Sequence, residues 1–150
     1  MKLLLVCNPG GHFATMYALR KFWSQHSRTW VTYRHFDTLE LENQGEVVCW
    51  VLKQEAREGL RALINFVQAI GIIWRKRPEL LISTGAGLAV PFIAAAKLLG
   101  VRTVFIESIS RTRELSLSGK LVYPLVDELY VQWPECRKRY PRSQYRGVVL

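Results

Sequence analysis

Short runs of apolar residues alternate along this chain with longer segments in which apolar residues recur at helical spacing. The short runs are apolar throughout, which is typical of strands that are covered on both faces of a sheet. Strands and helices in regular alternation favour parallel βαβ units, so we predict an α/β fold, a Rossmann-like doubly wound parallel sheet. The predicted strands are residues 2–7, 29–33, 47–52, 80–83, 102–106 and 128–132, and the predicted helices are residues 13–24, 56–77, 87–99 and 115–126.

The length of 150 residues gives room for one domain with a sizeable core, and no repeat or linker interrupts the chain, so we expect a single domain over residues 1–150. The formal net charge of +9 indicates an anionic partner: a phosphate-bearing ligand, an acidic membrane surface or nucleic acid. The three cysteines are widely spaced without a CxxC pair, which predicts neither a disulfide framework nor a zinc site and favours a reducing cytosol. The first apolar run is too short for a signal peptide, and no stretch reaches the roughly 20 apolar residues of a membrane span.

Three loops follow the carboxyl ends of predicted strands and carry unusual residues: the GGH loop (residues 8–12), the TGAG loop (residues 83–87) and the ESISR loop (residues 107–111). Ligands of open parallel sheets bind at this edge. Glycines allow backbone N–H groups to approach an anion closely, and the N-terminus of the following helix adds a favourable partial charge. A simple tight turn is the alternative for each glycine loop taken alone.

The known nucleotide-binding fingerprints are missing from these loops. The first reads GGHFAT instead of GxGxxG, and no GxxxxGK[ST] occurs in the chain. The second predicted strand ends in Tyr33, Arg34 and His35, without an acidic residue there to bind a ribose. A stand-alone NAD enzyme is therefore disfavoured. No RRM, KH or helix-turn-helix pattern supports nucleic acid as the partner.

Two titratable side chains in the loops are candidates for proton transfer. His12 is suited to act as a general base or as a donor to phosphate because imidazole titrates near neutral pH, and a helix-capping or surface role is the alternative. Glu107 ends a strand that we expect to be buried. Its carboxylate is either a satisfied structural group or a ligand for a hydroxyl or a proton.

Residues 60–78 combine a long apolar stretch with basic ends. The apolar part is too short to span a bilayer, but it fits a helix that lies in the membrane interface with its basic ends at anionic headgroups. The alternative is an ordinary crossover helix on the sheet, with basic residues that suit its dipole, and each reading can hold for a different face. The residues expected to contact the membrane are Leu63, Phe66, Val67, Ile70, Ile73, Trp74, Arg75, Lys76 and Arg77.

Taken together, the loops and their surroundings resemble the N-terminal half of glycosyltransferase family 28. The resemblance rests on the order strand–GGH–helix, followed by LLISTGAGLAVPFIAAAKLLGVRTVFIES and then by SLSGKLVYPLVDELYVQWPE. MurG, which adds N-acetylglucosamine to a lipid-linked acceptor, has this half. The chain is more similar to the acceptor-side, membrane-associated subunit of split enzymes, such as the eukaryotic oligosaccharide-biosynthesis subunit and bacterial PssD-type polysaccharide proteins.

The resemblance implies a GT-B enzyme that is divided between two chains. GT-B enzymes bind the nucleotide-sugar mostly on a C-terminal domain, so the UDP-sugar is expected on a small donor-binding partner subunit, without which this chain is inactive. The expected reaction is inverting transfer of a hexosyl or N-acetylglucosaminyl group to a polyprenyl-diphosphate-linked saccharide in polysaccharide biosynthesis. The expected location is the cytoplasmic face of the membrane, as a peripheral protein. A transmembrane helix anchors the eukaryotic relatives, and the helix at residues 60–74 takes that role here, on an anionic membrane surface.

The resemblance also implies roles for the loop residues. Inverting transfer needs a base that removes the proton of the acceptor hydroxyl, for which His12 is the first candidate and Glu107 the second. No metal or other cofactor is expected, because the chain has no DxD motif and helix dipoles can neutralise the leaving diphosphate. The residues expected at the acceptor or its diphosphate are Gly10, Gly11, Thr84, Gly85, Ala86, Gly87, Ser108 and Arg111.

Two other functions remain open at this point. The chain could be a non-catalytic membrane recruiter that activates a separate donor-binding catalytic subunit, in which case both His12 and Glu107 can be neutralised without loss of transfer. A nucleotide-binding redox protein, the other alternative, would bind a cofactor as an isolated chain.

Overall fold

The computed structural model describes residues 1–55 and 57–149, which form parallel strands with helices on both faces of the sheet. The elements are β1 (Lys2–Cys7), α1 (Gly11–Ala18), α2 (Arg20–Trp23), β2 (Ser27–Thr32), α3 (Glu40–Asn43), β3 (Val48–Trp50), α4 (Gly59–Lys76), β4 (Leu80–Gly85), α5 (Ala89–Leu98), β5 (Arg102–Ile106), α6 (Leu117–Val122), β6 (Glu128–Val131), α7 (Cys136–Arg139) and β7 (Gln144–Tyr145). The seven strands lie in the order β3-β2-β1-β4-β5-β6-β7, and every neighbouring pair is parallel. The predicted α/β fold is confirmed.

The direction in which successive strands are added to the sheet reverses after β3, and this reversal, on either side of β1, determines where the candidate site lies. The chain runs from β1 through β2 to β3 on one side, returns to β4 on the other side of β1, and continues outward to β7. The helices before and after this return pack on opposite faces: α1 and α2 belong to one hydrophobic cluster, and α4, α5 and α6 to the other. The loops that follow β1 and β4 therefore lead to helices on opposite faces of the sheet. Ligands of open parallel sheets generally bind at such a switch point, and we call this place at the carboxyl edge the crevice.

The helix predicted at residues 13–24 is interrupted at Leu19, which separates α1 from α2. The carbonyl of Met16 accepts hydrogen bonds from Leu19 N, at 3.1 Å, and from the indole of the buried Trp23, at 2.8 Å. Both bonds draw this carbonyl out of the regular helical pattern. Burial of a large aromatic side chain thus overrides the local helical preference.

Other boundaries differ because of caps and turns. The helix predicted at residues 115–126 shortens to α6, since Ser116 caps its first turn through a hydrogen bond from Gly119 N to the Ser116 side chain. The helix predicted at residues 56–77 begins at Gly59 and ends at Lys76, where Arg77 adopts a left-handed conformation with φ 48° before Pro78. Ala56 lies outside the described residues. The short elements α3, α7 and β7 were not predicted.

α4 exposes an apolar surface along its length, although its opposite side packs on the core. Ile73 is only 2% exposed and belongs to the core, and Phe66 and Ile70 are partly buried against it. The prediction that Ile73 contacts a membrane is therefore wrong, because that position faces the sheet. The exposed apolar residues, which we call the α4 apolar face, are Leu60, Leu63, Ile64, Val67 and Trp74. None of the helices in residues 1–55 and 57–149 has the length and hydropathy needed to cross a membrane.

Candidate functional site

At the crevice, where the loops after β1 and β4 meet, His12 lies against the backbone of the TGAG loop. His12 Nδ1 lies 2.8 Å from the carbonyl oxygen of Thr84, and the Thr84 hydroxyl donates to the carbonyl of His12 at 2.6 Å. This reciprocal pair joins residues that are 72 positions apart in the chain. The sequence had placed both loops at one edge of the sheet, and the structure brings these two into direct contact.

The Thr84 carbonyl determines which nitrogen of His12 carries the proton. A carbonyl oxygen can only accept, so His12 Nδ1 is the donor, and in the neutral imidazole Nε2 is left unprotonated. The imidazole is half-buried, not enclosed. His12 therefore presents a proton-accepting nitrogen at the carboxyl edge of the sheet, as a general base requires.

Gly85 allows the imidazole to lie against the backbone. Its φ of +97° is a conformation that glycine adopts readily and other residues rarely do. A Cβ at this position would lie 3.0 Å from His12 Nδ1. Any side chain here would push the imidazole off the Thr84 carbonyl, so the glycine is needed for the close approach.

Asn8, directly after β1, holds the TGAG loop from the other side. Its backbone N–H donates to the carbonyl of Gly85 at 2.8 Å, and its side-chain oxygen accepts from Ala86 N at 3.0 Å and from Leu88 N at 3.1 Å. Two N–H groups near the start of α5 are thereby occupied. Asn8 thus fixes the turn that precedes α5.

Asp37 is a residue of the site that the sequence analysis did not identify. Its carboxylate accepts from Gly10 N at 2.7 Å and pairs with His35 Nδ1 at 2.6 Å. Partial burial raises the pKa of Asp37, but the hydrogen bond from Gly10 N–H and the contact with His35 outweigh it and hold the pKa below its usual value. Asp37 lies beyond the end of β2, and only the pairing of β2 with β1 brings it to the GGH loop.

Glu107 lies at the end of β5 and is only 1% exposed. One carboxylate oxygen accepts from Ser108 N at 2.8 Å, and the other accepts from Ser116 N and from the Ser116 hydroxyl, both at 2.9 Å. Because Ser116 caps α6, this carboxylate ties the ESISR loop to the start of that helix. Both carboxylate oxygens thus have hydrogen-bond partners. This corresponds to the structural role that was one of the two alternatives left open by the sequence. The role of Glu107 as a base stays a prediction.

Gly119 lies so close to Glu107 that a Cβ there would be 2.2 Å from a carboxylate oxygen. We expect Gly119→Ala to displace the carboxylate, weaken the α6 cap and lower the free energy of unfolding by about 2–5 kcal/mol. Urea denaturation measures the change. The matched control is Gly71→Ala in α4, where nothing lies within 4 Å and the helix gains about 0.5–1 kcal/mol. Equal stability of Gly119→Ala and the wild type would contradict the expectation.

The other predicted residues of the ESISR loop are held by the segment that follows β6. Ser108 exchanges a hydrogen bond with the Ser110 hydroxyl at 2.9 Å, and Arg111 is exposed. The Trp133 indole donates to Ile109 O at 2.6 Å. The structure thus joins the GGH and TGAG loops directly and places Ser108 and Arg111 on the loop of the next strand but one from β1.

The helix terminus at the crevice suits an anion. The TGAG turn precedes the N-terminus of α5, which adds a positive partial charge. His12 lies beside this turn as a proton acceptor. Within the part of the chain that the structure describes, no three His, Cys, Asp or Glu side chains lie together as metal ligands.

Comparison with protein families matches residues 53–149 to the family described as "Oligosaccharide biosynthesis protein Alg14 like". The chain is similar to the human UDP-N-acetylglucosamine transferase subunit ALG14, with 39% identity over 85 residues that cover 53% of this chain and 39% of the human protein. The chain thus spans less than half the length of this relative. The family match takes in the TGAG and ESISR loops and begins after the GGH loop.

Solved structures confirm the predicted Rossmann-like α/β fold. MurG of Acinetobacter baumannii superposes with a TM-score of 0.75 at 16% identity, over 90% of this chain and 43% of that enzyme. A UDP-N-acetylglucosamine 2-epimerase from Rickettsia bellii superposes with a TM-score of 0.75 at 11% identity, over 98% of this chain and 44% of the epimerase. A transferase and an epimerase share this fold, so the fold alone does not select a reaction.

Proposed function

The chain belongs to the Alg14-like family of oligosaccharide biosynthesis proteins, and from this premise we propose that it is the acceptor-binding subunit of a two-chain inverting glycosyltransferase. The sugar comes from a UDP-sugar and passes to a polyprenyl-diphosphate-linked saccharide in polysaccharide biosynthesis. The observation that carries the proposal is the similarity to proteins named as subunits of a UDP-N-acetylglucosamine transferase. N-acetylglucosamine is accordingly the first sugar to test.

The proposal divides the work between two chains. The name of the relative includes the word subunit, which implies a partner chain. The chain superposes on 43% of MurG, so the rest of that enzyme has no counterpart among the residues compared. We assign the UDP-sugar mainly to a small donor-binding partner and the acceptor to the crevice between the GGH and TGAG loops.

His12 is the proposed base in this crevice. Its Nε2 takes the proton of the acceptor hydroxyl while the hydroxyl oxygen forms a bond to the anomeric carbon. The bond between that carbon and the diphosphate oxygen breaks, and UDP leaves with the electron pair. The Thr84 carbonyl, 2.8 Å from Nδ1, stabilises the imidazolium that results. The TGAG turn and the N-terminus of α5 bind the diphosphate of the acceptor.

The α4 apolar face is the proposed contact with the membrane. Leu60 is 74% exposed, Val67 64% and Trp74 68%, and an apolar patch of this kind marks an interaction surface. Arg75, Lys76 and Arg77 follow at the end of the helix, where they can meet anionic headgroups. α4 begins at the carboxyl edge of the sheet, so a helix lying on the bilayer brings the crevice near the head of a lipid-linked acceptor. This supports a peripheral location on the cytoplasmic face.

The test is transfer from UDP-N-acetylglucosamine to a polyprenyl-diphosphate-linked saccharide by the chain with its donor-binding partner, sought in a neighbouring reading frame. We expect transfer only when both chains are present, and weak binding of UDP-sugar by this chain alone. Calorimetry that finds micromolar binding of UDP-N-acetylglucosamine to the isolated chain would contradict the division of labour. Absence of transfer by the reconstituted pair would contradict the proposed reaction.

A further inference from the structure

A chain of buried amide side chains connects α4 to both loops of the crevice. Asn8 is 3% exposed, Gln54 1% and Asn65, on α4, is fully buried. The Asn8 side chain donates to Gln54 O at 3.0 Å. The Gln54 side chain donates to Gly87 O at 3.0 Å and accepts from the Asn65 side chain at 2.9 Å. We call these three residues the amide chain.

The amide chain holds two peptide groups of the TGAG turn. The peptide between Gly85 and Ala86 is held at its carbonyl and its N–H by Asn8. The peptide between Gly87 and Leu88 is held at its N–H by Asn8 and at its carbonyl by Gln54. The peptide between Ala86 and Gly87 lies between these two held peptides. Side chains that do not belong to the turn therefore fix its conformation.

Two of the three buried amides, Asn8 and Gln54, pair with backbone groups of the turn, which apolar side chains could not do. A buried polar group without a partner costs about 1–3 kcal/mol, so apolar side chains in the same place would leave that cost with the turn. Asn65 Oδ1 is itself buried without a hydrogen-bond partner among the described residues. The amide groups match the backbone polar groups of the turn, which points to orientation of that backbone as their purpose.

We infer that Gln54 and Asn65 are positioning residues that fix the TGAG turn against the diphosphate of the acceptor, an inference that rests on the proposed function. Asn65 lies two positions from both Leu63 and Val67, and at about 100° per residue it faces the side of α4 nearly opposite to them. The helix proposed to lie on the membrane thus also supports the anion-binding turn. The position of α4 and the geometry of the crevice are mechanically linked.

The experiment replaces Gln54 in the chain assayed with its partner subunit. Gln54→Glu keeps the shape but cannot donate to Gly87 O when ionised, and Gln54→Met removes the donor without adding charge. We expect both to lower kcat/KM for the polyprenyl-diphosphate acceptor by roughly 10- to 100-fold, with the KM for the UDP-sugar unchanged. The matched control is Gln68→Glu, the same change at an exposed position of α4, with wild-type kinetics.

Amide hydrogen exchange separates positioning from general stability. In Gln54→Met, amides of residues 84–90 should exchange faster than in the wild type, while those of β5 keep their wild-type rate. Wild-type kcat/KM for the acceptor in both Gln54 variants would overturn the inference, and so would exchange that rises equally throughout the chain or unfolding of both variants. Absence of transfer by the wild-type pair is a different result, which contradicts the proposed function instead.

Discussion

His12→Ala, assayed with the donor-binding partner present, is expected to lower the rate of transfer by roughly 10²- to 10⁴-fold, the usual contribution of a positioned general base. The variant removes Nε2, the nitrogen left free by the hydrogen bond between Nδ1 and the Thr84 carbonyl. The rate of transfer at a fixed pH, with saturating substrates, measures the effect.

The control for His12 is His26→Ala, because His26 lies before β2 at the opposite edge of the sheet. It should leave transfer unchanged. Membrane attachment and partner binding should survive in His12→Ala, since one half-buried side chain in the first turn of α1 contributes little to either. Near-normal turnover of His12→Ala would make the histidine a structural cap and leave catalysis to Glu107 or to the partner. If Glu107→Gln is slower than His12→Ala, the two roles are exchanged; wild-type rates in both favour the non-catalytic recruiter.

Replacement of Arg75, Lys76 and Arg77 by Gln is expected to weaken binding to anionic vesicles by roughly 100-fold, since each basic residue at the surface contributes about 1 kcal/mol. Binding to neutral vesicles should change little, because the α4 apolar face is untouched. Added salt should weaken the wild type more than the variant. Co-sedimentation with vesicles of phosphatidylserine and phosphatidylcholine measures the partition coefficients.

α7 provides a matched control, since Arg137, Lys138 and Arg139 repeat the same three residue types. Their replacement by Gln removes the same charge from a chain whose net charge is +9, but at a different place. Only the α4 variant should lose binding if α4 is the contact. Equal losses in both variants would show that net charge alone drives attachment, and unchanged binding of the α4 variant would assign that helix to the core only.

The parallel fold was readable in the sequence because its signals are local. A strand covered on both faces is apolar throughout, as in β1 and β5, whose bounds were predicted without error. The short α7 and β7 carry too few residues for a periodic pattern and were missed. The break between α1 and α2 was missed because it depends on where the Trp23 indole finds an acceptor.

The site was only partly readable for the same reason. His12 and the glycines stand out as residue types, and the order of elements places their loops at one edge of the sheet. Asn8, Gln54 and Asn65 are ordinary polar residues in the sequence, and nothing local distinguishes them. Their importance comes from hydrogen bonds to one another and to the TGAG turn, between positions 11 to 80 residues apart. Asp37 was missed likewise, since its partner Gly10 is on another loop.

The sequence by itself determined the α/β class, most of the strand positions, the edge of the sheet at which the glycine loops lie and the resemblance to family 28 glycosyltransferases. These follow from periodicity, residue type and motif order, which are properties of short stretches. Only the tertiary structure decided that β1 lies beside β4, that Thr84 directs the proton of His12, and that Ile73 and Glu107 are buried. Each depends on which elements pack together, and the cooperative burial of apolar surface far apart in the chain determines that packing.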